Sequence, residues 1–200
     1  MSPERDPDAQ PNSRADALLD AQRQVLESIV RGRPLGEVLE SLCRIVETQA
    51  DQPVKAAILL VDADGERLWT GAAPSLPAEY SAAIDGIRIA PNVGTCCAAA
   101  ATGEIVITPE IATDPGWARF SHLPLGIGLR AAWSLPIRSS SGAVLGTFGT
   151  YFEQPREPLP QERRLVEVLA RTASLAIERK RSGEELRASA ERHRFLAALA

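Results

Sequence analysis

The sequence predicts an α+β domain built on a central antiparallel sheet. Apolar residues recur at three- and four-residue steps near both ends of the chain, the period of helices with one buried stripe. The middle consists instead of apolar runs of strand length separated by turn residues. Short turns between such runs join antiparallel neighbours, and amphipathic helices at both ends need a sheet face to cover. Two hundred residues, 44% of them hydrophobic, suit one domain with extensions and supply enough apolar side chains for its core.

Residues 1–13 are polar and carry three prolines, a composition that buries too little to offset the entropy of ordering, so a disordered tail is expected ahead of a domain over residues 14–180. From Ser13 onward Ala15, Leu18, Leu19, Gln22, Val25, Leu26 and Ile29 follow the helical period until Arg31-Gly32-Arg33-Pro34 stops it. A second helix is expected from Leu35 to Gln49, with Cys43 on its apolar stripe as a small buried hydrophobe. Val54 to Val61 and Glu66 to Gly71 read as a hairpin around Asp62-Ala63-Asp64-Gly65. Leu76 to Asp85 reads as a short helix, Gly86 to Ile89 as a strand, Val93 to Gly103 as a small-residue helix closed by a glycine, and Glu104 to Ile107 as a fourth strand. Leu129 to Ile137 and Ala143 to Phe152 form a second hairpin through Ser139-Ser140-Ser141-Gly142, making about six strands in all. Gly146 and Gly149 mark a bulge or a place where another group comes close. Pro160 suits the first turn of a last helix that runs to the C-terminus with one weak interruption at Ser182-Gly183. Along it Leu165, Leu169, Thr172 or Ala173, Ala176, Arg179, Gly183, Leu186 and Ala190 fall near a heptad seam flanked by Arg and Glu. Residues 181–200 therefore read as the start of a coiled-coil linker to an output or further sensory domain outside this chain.

Charge and composition narrow the partners. A net charge of -4 and a pI near 5.3 leave no clustered basic face for nucleic acid. Three cysteines, two of them adjacent, do not make a disulfide framework and suit a reducing compartment. There is no basic-then-apolar leader and no apolar run near the roughly 18 residues a membrane helix needs, so a cytoplasmic protein with no membrane partner is expected. His122 and His193 show no metal-ligand spacing. His122 is expected on an exposed loop and His193 in a solvated linker.

The central stretch adds a family resemblance. Gly94-Thr95-Cys96-Cys97-Ala98-Ala99 resembles the Gly-x-Cys-Gly-x-Ala run of GAF domains, and Ile111-Ala112-Thr113-Asp114-Pro115-Gly116-Trp117 is similar to their Asp-Ile-x-x-Asp-Pro-x-Trp loop. Gly128-Leu129-Arg130-Ala131-Ala132-Trp133-Ser134-Leu135-Pro136-Ile137 resembles a strand common in GAF modules of bacterial sensor histidine kinases and cyclic-di-GMP signalling proteins. The resemblance covers about residues 20–180; Cys97 stands where glycine is usual and Ala132 where many relatives have cysteine. It implies a PAS-like GAF fold, with terminal helices on one sheet face, a ligand pocket on the other and a parallel homodimer through the N- and C-terminal helices.

Within that frame the pocket candidates are Thr95, Cys96, Cys97, Trp117, Phe120 and Trp133. Adjacent thiols at a helix start could be activated by the amide dipoles, or could simply be small residues that let helix and sheet approach. Free-methionine-sulfoxide reductases are GAF proteins with a Pro-Gly-His-Ile-Ala-Cys-Asp stretch; here the matching residues are Pro115-Gly116-Trp117-Ala118-Arg119-Phe120-Ser121, without that cysteine or aspartate. No histidine follows Cys97 as in bilin-binding relatives, and no bilin, haem or metal is expected. On the 129–137 strand, alternation puts Arg130, Ala132 and Ser134 on one face and Ala131 and Trp133 on the other, and only one set can face the pocket. The expected function is non-enzymatic: a sensory module of a two-component or related pathway, binding an unidentified small molecule and signalling through its C-terminal helix, or a dimerisation scaffold without a ligand.

Overall fold

The computed structural model describes residues 9–198, and the side chains of residues 16–194. Helix α1 spans Ala9–Val30 and α2 spans Leu35–Gln49, separated by a turn in which Gly32 takes a left-handed φ of 70°. The tail expected over residues 1–13 lies partly outside the described residues, and from Ala9 the chain is already helical. Pro11 falls in the first turn of α1, where its missing N–H is one of the four that a helix start leaves unpartnered anyway. The remaining elements are β1 (Val54–Val61), β2 (Arg67–Ala72), α3 (Ala78–Ile84), β3 (Ile87–Arg88), α4 (Gly94–Thr102), β4 (Val106–Thr108), a 3-10 turn (Pro115–Trp117), α5 (His122–Gly126), β5 (Ala131–Arg138), β6 (Val144–Phe152) and α6 (Pro160–Ala198).

The six strands form one sheet in the order β3-β2-β1-β6-β5-β4, and every neighbouring pair is antiparallel. Alternation along the central strands sorts the side chains into two faces. Val54, Ala56 and Ile58 of β1, Ala131, Trp133 and Ile137 of β5, and Phe148 and Phe152 of β6 pack with α1, α2 and α6 into the main core. Ala57, Leu59, Ala132 and Tyr151 point the other way, under α3, α4, α5 and the Trp117 turn. Cys43 is fully buried in the main core.

Two features differ from expectation along α6. The helix passes through Ser182-Gly183 without a break. Leu169, Ala173 and Ala176 of the expected heptad seam are buried against the chain's own sheet, while Val168, Leu175 and Leu186 are left exposed. Leu169, Ala173 and Ala176 complete this domain's own core and are not free for a partner helix, whereas Leu186 of the same seam is exposed.

The β5–β6 turn connects the two layers. Arg138 donates to the carbonyl of Gly103 at the end of α4 and to that of Gly142 (3.0 Å), while its own carbonyl accepts from Ser174 of α6 (2.6 Å). Ser140 donates from its backbone N–H (3.1 Å) and hydroxyl (2.8 Å) to Glu178.

Candidate functional site

The site is built where α4 lies on the sheet, and small residues set that distance. A Cβ placed on Gly149 of β6 would sit 2.8 Å from Cys96 Sγ, so only glycine lets α4 come this close. Gly94 opens α4 with a φ of 53°, and its missing side chain leaves room for the Trp117 ring, 3.3 Å from where a Cβ would be. Gly103 closes the helix in the left-handed conformation, as the Val93–Gly103 reading requires.

Under α4 runs a buried chain of polar groups. Ser134 Oγ donates to Thr95 Oγ1 (2.8 Å), Cys96 Sγ lies 3.1 Å from Ser134 Oγ, and the same sulfur lies 3.6 Å from the Tyr151 hydroxyl. Tyr80 of α3 meets Tyr151 edge-on, with ring centroids 6.1 Å apart. A second set of bonds fixes the neighbouring wall: Trp117 Nε1 donates to Thr108 Oγ1 (3.2 Å), Thr108 donates to Asp114 (2.9 Å), and Asp114 accepts from the Gly116 N–H (2.8 Å). The Asp-Pro-Gly-Trp loop is thus an aspartate-capped turn that holds an indole against α4.

These walls enclose a cavity of about 40 Å³. Leu59, Ile84, Ile87, Leu123 and Pro124 make its apolar sides; Thr95, Cys96, Tyr80 and Tyr151 supply polar edges. None of the described residues lining it is Asp, Glu, Lys, Arg or His. Burial pushes the Cys97 thiol up to about 12, with Cys96 beside it adding to the effect, and burial likewise pushes the Tyr80 and Tyr151 hydroxyls well up. At Cys97, then, burial works against the thiolate that a helix start would favour.

Of the six pocket candidates, Thr95, Cys96, Cys97, Trp117 and Phe120 line this cavity. Trp133 does not. It is fully buried on the opposite face among α2 and α6, with its indole N–H unpartnered, because β5 presents Ala132 and Ser134 to α4. Arg130, on the Ser134 side by alternation, is exposed and pairs with Glu110 (3.0 Å). Tyr80, Tyr151 and Ser134 are functional candidates absent from the sequence-derived set. Ser134 had a signal in the alternation, but which face is covered by α4 is a tertiary fact. His122 begins α5 rather than lying on a loop, although it is exposed as expected.

Comparison with known proteins agrees with this geometry. The family model described as GAF domain matches residues 32–178. The chain is 37% identical over 182 residues to the methyl sulfide methyltransferase-associated sensor of Methanosarcina acetivorans, covering 91% of this chain and 18% of that protein. The chain thus spans less than a fifth of that relative's length. The fold is similar to the GAF domain of a phosphoenolpyruvate-protein phosphotransferase from Coxiella burnetii, with a TM-score of 0.68 at 14% identity over 84% of this chain and 96% of that one. It is also similar to free methionine-R-sulfoxide reductase from Neisseria meningitidis in complex with its substrate, with a TM-score of 0.63 at 16% identity over 92% and 97% of the two chains.

Proposed function

Because the chain belongs to the GAF domain family, we propose that it is a sensory module whose cavity takes up a small molecule and whose C-terminal helix passes that event to an output domain outside this chain. The observation that carries the reading is the two-sided strand β5. Ser134 bonds to Thr95 and Cys96 on the cavity side, while its neighbour Trp133 packs in the core with α6, and the strand ends at Arg138, which touches both α4 and α6. A ligand that shifts α4 acts on α6 through one strand and one turn, and it biases the equilibrium by its difference in affinity for the two arrangements.

In this reading the chain is cytoplasmic, works as a parallel homodimer through α1 and α6 in a two-component or related pathway, and leaves catalysis to the output domain. No helix among the described residues is long and apolar enough to cross a membrane. The reductase alternative is weakened by Phe120 and Ser121, which stand where that family's stretch has cysteine and aspartate, and by the burial that raises the Cys97 thiol.

A second reading has its own support. A cavity of about 40 Å³ is far below the roughly 300–1,000 Å³ of pockets that hold drug-sized ligands, which suits a dimerisation scaffold with a closed pocket. Native mass spectrometry of protein purified from its host, with a thermal-shift screen of metabolites, separates the two. Ligand sensing predicts a bound molecule or a raised melting temperature, together with altered hydrogen exchange over residues 170–182. No bound molecule and no shift would leave the scaffold reading standing.

A further inference from the structure

We infer that the ligand of this cavity is a small neutral molecule that presents a hydrogen-bond acceptor to the Thr95 hydroxyl. The inference rests on the ligand-binding reading above and names the chemistry of the ligand. Its basis is a count of protons along the buried chain. Each hydroxyl or thiol has one hydrogen to give. Ser134 gives its hydrogen to Thr95 Oγ1. The Cys96–Ser134 contact must then be carried by the thiol hydrogen, which leaves the sulfur to accept from the Tyr151 hydroxyl. Every link thus runs in one direction and ends on Thr95, whose own hydrogen has no acceptor among the described residues. Thr95 is 1% exposed and lines the cavity, so that donor faces whatever the cavity holds.

Charge follows from the same wall. The described lining residues contain no ionised side chain, and the Cys97 thiol and both tyrosine hydroxyls are held protonated by burial. An anion such as a cyclic nucleotide or a carboxylate would lose its hydration here and gain no cation in return. A carbonyl, ether or similar oxygen on an apolar body matches both the spare donor and the Leu59, Ile84 and Leu123 sides.

The test uses acetone, isobutene and acetate, which share one planar branched skeleton and differ in acceptor and charge. Each is titrated into the intact chain while the amide chemical shifts of Thr95, Cys96 and Tyr151 are followed. Acetone is expected to bind and acetate not to saturate. Because isobutene gives up no hydrogen bonds to water on entering an apolar cavity, the readout is the ratio of acetone to isobutene affinity, expected to fall roughly tenfold in Thr95→Val. Thr95→Ser, which keeps the hydroxyl, should retain the parent ratio; circular dichroism checks that both variants fold. Acetate binding as well as acetone, or an unchanged ratio in folded Thr95→Val, overturns the inference. If none of the three binds, the ligand-binding reading itself fails and takes this inference with it.

Discussion

Gly149 and Cys97 set the tolerances of the site at the residue scale. Gly149→Ala places a methyl group 2.8 Å from Cys96 Sγ, so α4 must back away or the thiol must rotate out of its bonds to Ser134 and Tyr151. Overpacking of this kind lowers stability by about 1–3 kcal/mol, readable as a shifted urea midpoint. Adding Cys96→Ala to that variant removes the clash and should recover part of the loss; simple additivity of the two costs would contradict the steric account. Cys97 makes an alkaline prediction. Its folded pKa of about 12 lies above the ordinary 9.0, so the fold favours the neutral thiol. The resulting stabilisation is complete below pH 9 and is lost as pH rises from 9 towards 12. Cys97→Ala should make the loss of stability in that window shallower, with the buried Tyr80, Tyr151 and Cys43 carrying the rest, and iodoacetamide at pH 8 should leave Cys97 unmodified until the protein unfolds.

The start of α6 shows how much one element depends on a single carboxylate. Glu162 accepts from the Leu159 N–H (2.8 Å) and pairs with both terminal nitrogens of Arg156 (2.7 and 2.8 Å), whose guanidinium lies 3.5 Å from the centre of the Phe152 ring. Burial alone would raise its pKa, but the Arg156 and Leu159 bonds outweigh that and hold it below the usual 4.5. The stabilisation is therefore present above 4.5 and lost as pH falls below it. Glu162→Gln should cost about 1–2 kcal/mol at neutral pH, discounted for partial solvent screening, and should blunt the acid side of the stability profile. An unchanged acid limb would show that Glu162 does not carry it. Element order was largely legible in the sequence because period and turn chemistry act locally: α2 and β1 have their expected bounds. The 122–126 helix escaped because it is too short to show a period and contains Pro124. The fourth strand slid to Val106–Thr108, since its register is set by pairing with Ala132–Ser134 rather than by its own residues. Trp133 was misplaced for a related reason: alternation defines two faces of a strand and cannot say which one a distant helix covers.

For the whole molecule the open question is what covers the outer helical layer. Leu19 and Leu26 on α1, and Val168 and Leu175 on α6, are exposed and in each case seven residues apart. That spacing suits a partner helix, so the proposed homodimer should close over these residues instead of the buried Leu169–Ala173 seam. Val168→Glu combined with Leu175→Glu is expected to give folded monomers by sedimentation velocity, whereas Leu169→Glu should unfold the domain. A double variant that sediments like the parent, with the parent a dimer, would move the interface elsewhere. The ties of α6 to Arg138 and Ser140 at Ser174 and Glu178 also make that helix a lever with its fulcrum at the β5–β6 turn. Arg179 and Arg181 tie the helix further to the carbonyls of Val30 (3.1 Å) and Val61 (2.7 Å). The arm beyond them, residues 182–198, measures roughly 25 Å at about 1.5 Å per residue, so a tilt of about 5° would swing its far end by about 2 Å. In the proposed relay, a displacement near the sulfur of Cys96 too small to enlarge the cavity noticeably would arrive at the distal end amplified, as a sideways stroke.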